Sequence, residues 1–272
     1  MIKKKIILDC DPGHDDAVAI MLAAASDRIE ILGITCVGGN ATLENTKLNA
    51  LKICSLIDRP DISIYAGKKK PLKLKLVTAA HVHGKSGLDI EGSNIKVKKN
   101  YFIKKIHAVD FIIQTCHKEK KPIYLCPTGP LTNIASALLK DPSINKKIKE
   151  IVFMGGAGLC IGNITPSAEF NIFVDPHAAN IVLKSGIPIV MMGLDVTHKV
   201  NVNNEIIRSI KKNNNLASSF FADLMNFYSK FHRKLYNTNE SPLHDPCVIA
   251  YLIDPSIFEG KKTNVIVEED SK

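Results

Sequence analysis

The sequence has no tryptophan among its 272 residues, so no indole is available to stack on a flat ligand. It also has no CxxC pair. Its seven cysteines (10, 36, 54, 116, 126, 160 and 247) are odd in number, and several lie inside apolar runs. That pattern argues against a disulfide framework or a thiolate zinc site and predicts free, mostly buried thiols. The longest apolar run, Ala17–Ala25, is short of the roughly 20 residues needed to cross a bilayer. The start, MIKKKIILDC, is basic and then apolar like a signal peptide. However, Asp9, Asp11, Asp15 and Asp16 interrupt it and no small-residue cleavage site follows, so a strand of a cytoplasmic protein is expected. Acids are scarce, 27 against 36 Lys and Arg, for a formal net charge of +9. The lysines fall in short scattered clusters without interleaved aromatics. That predicts weak attraction for anions, with no nucleic-acid partner and no membrane partner.

Short β-branched runs alternate with helical patterns. Strands are expected at Lys5–Leu8, Ile29–Cys36, Ile62–Tyr65, Pro122–Cys126, Glu150–Met154 and Pro188–Met192. Helices are expected at Asp15–Ala25, Leu43–Ile57, Phe102–His117, Leu131–Lys140 and Pro176–Ser185. Strands this continuously apolar are covered on both faces. The predicted fold is therefore α/β: a doubly wound, mostly parallel, Rossmann-like sheet in a single domain spanning 1–272. Ligands of such sheets bind past the strand C-termini. Residues 68–100 are polar and break the rhythm, as an insertion over the sheet edge. Extra helices are expected within 201–239, interrupted at 211–215. The aromatics there (Phe220, Phe221, Phe227, Tyr228, Phe231, Tyr236) read as helix-packing core.

The segment ILDCDPGHDDAVA puts four carboxylates within eight residues, at the end of the first strand and the start of the first helix. Asp9 and Asp11 share a face by the period of two, Pro12-Gly13 makes the turn, and Asp15 and Asp16 open the helix. The helix dipole favours each charge by only about 0.3–1 kcal/mol, while carboxylates so close repel and raise one another's pKa. A bound cation resolves the conflict, and an all-oxygen donor set points to Ca²⁺ or Mg²⁺. Further candidates follow other strands: Asn40, Thr128, Asn163, Asp195, and Glu169 with Asn171, which point the same way if extended. Among the Asp-Pro pairs, Asp141, Asp175 and Asp254 read as helix caps. Asp245, beside His244, reads as functional.

Taken together, DCDPGHDDAVAI, VGGN (37–40), HGKSGL (83–88), PTGPLTNIASAL (127–138), FMGGA (153–157), AEFNIFVDPHAA (168–179), GLDVTH (193–198) and HDP (244–246) resemble the inosine–uridine-preferring nucleoside hydrolase family. The resemblance implies hydrolysis of the N-glycosidic bond of ribonucleosides to ribose and free base, with a tightly held Ca²⁺. Carried over by motif, Asp11, Asp16 and Asp245 would be Ca²⁺ ligands together with the Thr128 carbonyl. Asp15 would be the general base. Asn40, Asn163, Glu169 and Asn171 would hold the ribose hydroxyls. His83 and His244 would lie on the base side, His244 as leaving-group acid. His14 would be a spectator. A homo-oligomer, dimer or tetramer, is also implied. Family members tuned narrowly to purines stack an indole on the base, so the lack of tryptophan favours inosine–uridine or pyrimidine preference.

Two alternatives stand beside this reading. Asp9-x-Asp11 after a first strand has the layout of a haloacid dehalogenase-type phosphatase, but Gly13 stands where Thr or Val is expected. A non-catalytic nucleoside-binding or ribose-binding homologue is the other. In its favour, the chain ends at the predicted strand from Val265, where family members continue into more strand and a final helix. Ser86 also departs from the family pattern, which commonly has an acid there.

Overall fold

The structure, a computed structural model, describes residues 3–90, 95–236, 238 and 240–270, and the side chains of 232, 235 and 236 are outside that description. The first strand, β1 (Lys4–Cys10), shows why a continuous apolar run lies at the centre. Ile6, Leu8 and Cys10 enter one apolar cluster and Ile7 the other, as alternation across a sheet requires. The chain continues through α1 (His14–Ala25), β2 (Ile29–Cys36), α2 (Leu43–Leu56), β3 (Ile64–Ala66), α3 (Ala80–His83), β4 (Ile103–Lys104), α4 (Ala108–Lys118), β5 (Ile123–Pro127) and α5 (Thr132–Lys140). After β6 (Ile148–Met154) come α6 (Phe170–Val174), α7 (Pro176–Leu183), β7 (Ile189–Met192), α8 (Leu194–Thr197), β8 (Asn201–Val202), α9 (Asn204–Lys211), α10 (Leu216–Tyr236), β9 (Ser241–Pro242) and α11 (Pro246–Ile253).

Seven strands form one sheet in the order β4-β3-β2-β1-β5-β6-β7, and every pairing in it is parallel. The doubly wound expectation holds. One face packs on α1, α2 and α11, the other on α4, α5 and α7. Winding reverses between β1 and β5, so a crevice opens past their C-termini. Register sets Asp9 opposite Thr35 on one side and Pro127 on the other, bringing the first three strand-end motifs to that crevice.

The structure departs from the sequence reading at four places. The helix expected from Phe102 starts at Ala108, because Ile103–Lys104 pairs with β3 at the sheet edge and the His107 ring accepts the Val109 N–H as a cap. Glu169 and Asn171 are not extended, since Glu169 caps the short helix α6. No strand forms at Val265–Val267, where Val267 packs as a single side chain on the apolar cluster beside α7. The aromatics of α10 divide. Phe220, Phe221 and Tyr228 are core, Tyr228 also stacking on His83, whereas Phe227 and Phe231 meet histidines instead. The side chain of Tyr236 and residues 91–94 of the insertion lie outside the described residues.

Candidate active site

The acidic turn sits at the winding reversal. Gly13 donates its N–H to Asp16 Oδ2 at 2.9 Å, closing the first turn of α1 on an acid, where the helix dipole favours one. Asp15, Asp16 and Asp245 each offer a carboxylate oxygen within 4.8 Å of the others, and all three are buried. Asp245 opens α11 from the far end of the chain without making a capping hydrogen bond. Asp141, Asp175 and Asp254, by contrast, each accept a main-chain N–H two or three residues on. Of these Asp-Pro residues, only Asp245 is aimed at other acids.

Burial raises every carboxyl in this group. It pushes Asp15 up to about 7, with the Asp16 charge adding to it. Burial and the neighbouring acids hold Asp11 and Asp245 well above the carboxylate range, and Asp16 is raised as well. Asp16 is partly answered by the Thr128 hydroxyl, 2.8 Å from Oδ1, and by the Asn40 amide, 3.3 Å from Oδ2. Asp11 Oδ2 accepts the Asn40 N–H at 2.6 Å, but its Oδ1 is buried with no partner among the described residues. An orphaned carboxylate oxygen beside three crowded carboxylates is what a hard divalent ion would relieve, and the donor set is all oxygen. Asp9 lies apart: Thr35 and Asn133 hold its Oδ1 at 2.6 and 2.8 Å.

Above this floor opens a cleft of about 440 Å³. Asp15, Asn40, Thr128, Asn163, Glu169, Asn171 and Asp245 line it together with His83, His198, Tyr228, Phe231 and His244. Glu169 is 2 % exposed; its Oε1 accepts the Asn171 N–H at 2.9 Å and its Oε2 the Gly156 N–H at 3.1 Å. Asn171 Nδ2 donates to the Thr128 carbonyl at 2.8 Å, and Asn163 Oδ1 accepts the Phe170 N–H at the exposed rim. The Thr197 hydroxyl lies 2.8 Å from His244 Nδ1, and His198 packs edge-on against the His244 ring. Every residue assigned to metal, ribose or base by motif therefore lies in or directly beneath one cleft.

His14, expected from the sequence to be a spectator, lies beside this arrangement. It is fully buried, stacked on His83 and Phe227, because α10 closes over the acidic turn. Tyr228 and Phe231, which the helical core pattern placed among packing aromatics, also line the cleft.

The inosine-uridine preferring nucleoside hydrolase family matches residues 6–272. The chain belongs to that family. A protein of Schizosaccharomyces pombe is 47% identical, covering 98% of this chain and 86% of its own length. The pyrimidine-specific ribonucleoside hydrolase RihA of Shewanella sp. (strain MR-7) is 44% identical, covering 100% of this chain and 84% of its own. Among solved structures, a plant nucleoside hydrolase superposes with a TM-score of 0.93 at 32% identity, covering 98% of this chain and 84% of its own. A purine-preferring ribonucleoside hydrolase from Gardnerella vaginalis gives 0.92 at 36%, covering 98% and 85%. This nucleoside hydrolase is thus an N-glycosidase acting on ribonucleosides, not a phosphatase of the dehalogenase type.

Proposed function

We propose that this nucleoside hydrolase is Ca²⁺-dependent and prefers pyrimidine nucleosides, uridine foremost. The observation that carries the reading is the triple carboxylate cluster of Asp15, Asp16 and Asp245 under a cleft lined by Asn40, Asn163, Glu169 and Asn171. Asp11, Asp16, Asp245 and the Thr128 carbonyl would hold the ion. The Thr128 oxygen already accepts one Asn171 N–H and has a second lone pair. Bound there, Ca²⁺ would balance the carboxylates, orient vicinal ribose hydroxyls and lower the pKa of a neighbouring water.

Asp15, which faces the cleft, takes the proton of the water that attacks the anomeric carbon. Asn40, Asn163, Glu169 and Asn171 fix the ribose hydroxyls, so the anomeric carbon meets that water at a set distance. As the C–N bond breaks, positive charge grows on the sugar, and the carboxylates beneath it stabilise that charge. The pair of electrons leaves with the base, and His244, oriented by Thr197, supplies the proton that neutralises it. His83 lies beside the base as a second N–H donor. Preference for pyrimidines is supported by the lack of tryptophan and by the relatives at 44% identity named as pyrimidine-specific. The seven free cysteines fit a reducing, cytoplasmic compartment. No described helix is long and apolar enough to cross a membrane. A homo-oligomer, dimer or tetramer, completes the proposal.

A reducing-sugar assay over uridine, cytidine, inosine and adenosine, with and without chelator, tests it. Ribose release strongest on uridine, stopped by EDTA and restored by Ca²⁺, is expected. A folded, Ca²⁺-loaded protein that releases no ribose leaves only the nucleoside-binding alternative. Strong preference for adenosine removes the pyrimidine assignment.

A further inference from the structure

His83 reaches the cleft from the end of α3, and the structure shows what stands behind it. The main-chain nitrogen of His14 lies 3.3 Å from His83 Nδ1, and His14 Nδ1 lies 3.1 Å from the same atom. The other nitrogen of His14, Nε2, is 2.9 Å from the Asp89 carbonyl. A carbonyl only accepts, so His14 Nε2 is the donor toward Asp89 and a neutral His14 ring accepts at Nδ1. The proton shared by the two Nδ1 atoms sits on His83, which presents an Nε2–H to the cleft when its ring carries both protons. The two imidazoles stack with centroids 5.3 Å apart, and Phe227 covers His14 at 4.9 Å.

Asp89 closes the circuit. Its carboxylate accepts the N–H of Lys85 at 2.9 Å, the N–H of Ser86 at 3.2 Å and the Ser86 hydroxyl. Its own N–H donates to the His83 carbonyl at 3.2 Å. Gly84 and Gly87, at φ of 79° and 82°, supply the left-handed turns this knot needs. Asn49 then ties the knot to the acidic turn, donating to the Ser86 carbonyl at 2.9 Å and the Pro12 carbonyl at 3.0 Å. Ser86 thus serves as donor to Asp89.

We propose that His14 and Asp89 are positioning residues that brace His83 so that its Nε2–H meets the departing base. The proposal rests on the reading of His83 as a base-side donor. A histidine side chain has two torsions to lose. His14 holds the ring at Nδ1, and Asp89 holds both the far nitrogen of His14 and the main-chain carbonyl of His83. Misplacing a reacting group by about 1 Å costs up to about 10²-fold in rate, so the effect belongs in turnover of substrates whose leaving group needs help. It should be absent for a substrate whose leaving group departs as a stable anion.

The experiment compares uridine with p-nitrophenyl β-D-ribofuranoside, whose phenolate leaves unprotonated. His14→Phe keeps a stacked ring but loses both ring-nitrogen contacts. It should lower kcat/KM on uridine roughly 10- to 100-fold, yet change the aryl riboside less than about 3-fold. Asp89→Asn and Ser86→Ala should move the ratio of the two substrates the same way by less, and Ser86→Ala, the loss of one hydroxyl, carries the test if His14→Phe does not fold. Equal losses on both substrates, or none on uridine, overturn the brace. His83→Ala separates the two readings. If it loses uridine turnover selectively while the other three variants do not, the brace is wrong and His83 stands. If it keeps uridine turnover, the base-side role of His83 fails first, and the brace with it.

Discussion

Gly39→Ala is expected to be among the most damaging small substitutions in this enzyme, although Gly39 carries no chemistry. A Cβ built there would stand 2.0 Å from Asp11 Oδ2 and 2.7 Å from Pro130 Cδ, against an ordinary contact of at least 3.4 Å. The Asp11 carboxylate would have to retreat by more than an ångström. It cannot do so freely: a Cβ at Gly129 would lie 2.4 Å from Oδ1, so that wall is already tight, and the Asn40 N–H grips Oδ2 at 2.6 Å. Overpacking of this kind costs about 1–3 kcal/mol, or about 2–4 °C of Tm per kcal/mol in a chain of this size. A displacement of that size at the proposed ligand Asp11 should also lower kcat/KM by about 10²-fold. Thermal melts, Ca²⁺ titration calorimetry and uridine turnover measure the three effects. Gly260→Ala, where a Cβ meets nothing within 4 Å, is the control and should match the wild type. Wild-type turnover and Ca²⁺ affinity in Gly39→Ala would refute the view that Asp11 is clamped between two glycines for its function.

Other outcomes follow from the same geometry. Asp15→Asn should lower kcat by about 10²–10⁴-fold, the worth of a general base, with Ca²⁺ still bound by calorimetry; an ion lost along with turnover would make Asp15 a ligand instead. Burial raises the Glu169 carboxyl above its ordinary value despite the N–H donors around it. Its contribution to stability is therefore complete below the unfolded pKa and declines as pH rises through the folded value. Urea midpoints of wild type and Glu169→Gln should accordingly shift relative to each other as pH rises from 4, in favour of Gln, on top of a constant cost of turning an amide toward two N–H groups. A gap that does not vary with pH contradicts this. Burial pushes the Cys54 and Cys116 thiols up to about 12, and Cys160 is the one cysteine not buried. Ellman's reagent should find one reactive thiol in the native protein and seven in denaturant, and a second fast native thiol would contradict the burial.

The sequence by itself determined the alternation of strands and helices, the parallel sheet and the edge where a ligand sits. Those follow from periodicity and from strands apolar on both faces, which are local properties. It also determined that Asp9 to Asp16 needed an answer to their charge, because eight residues cannot place four carboxylates far apart. Even Asp245 was legible, through the histidine beside it.

Only the tertiary structure decided which acids actually meet. Asp9 turns to Thr35 and Asn133, whereas Asp245, over two hundred residues away, joins Asp15 and Asp16. Glu169 became a helix cap because Gly156 and the first turn of α6 offered it three N–H groups. His14 acquired its place when α10 folded Phe227 onto it and the loop after His83 brought in Asp89. Each of these depends on contacts between residues distant in the chain. No periodicity encodes such contacts, and they exist only once the sheet has wound and its edge has closed.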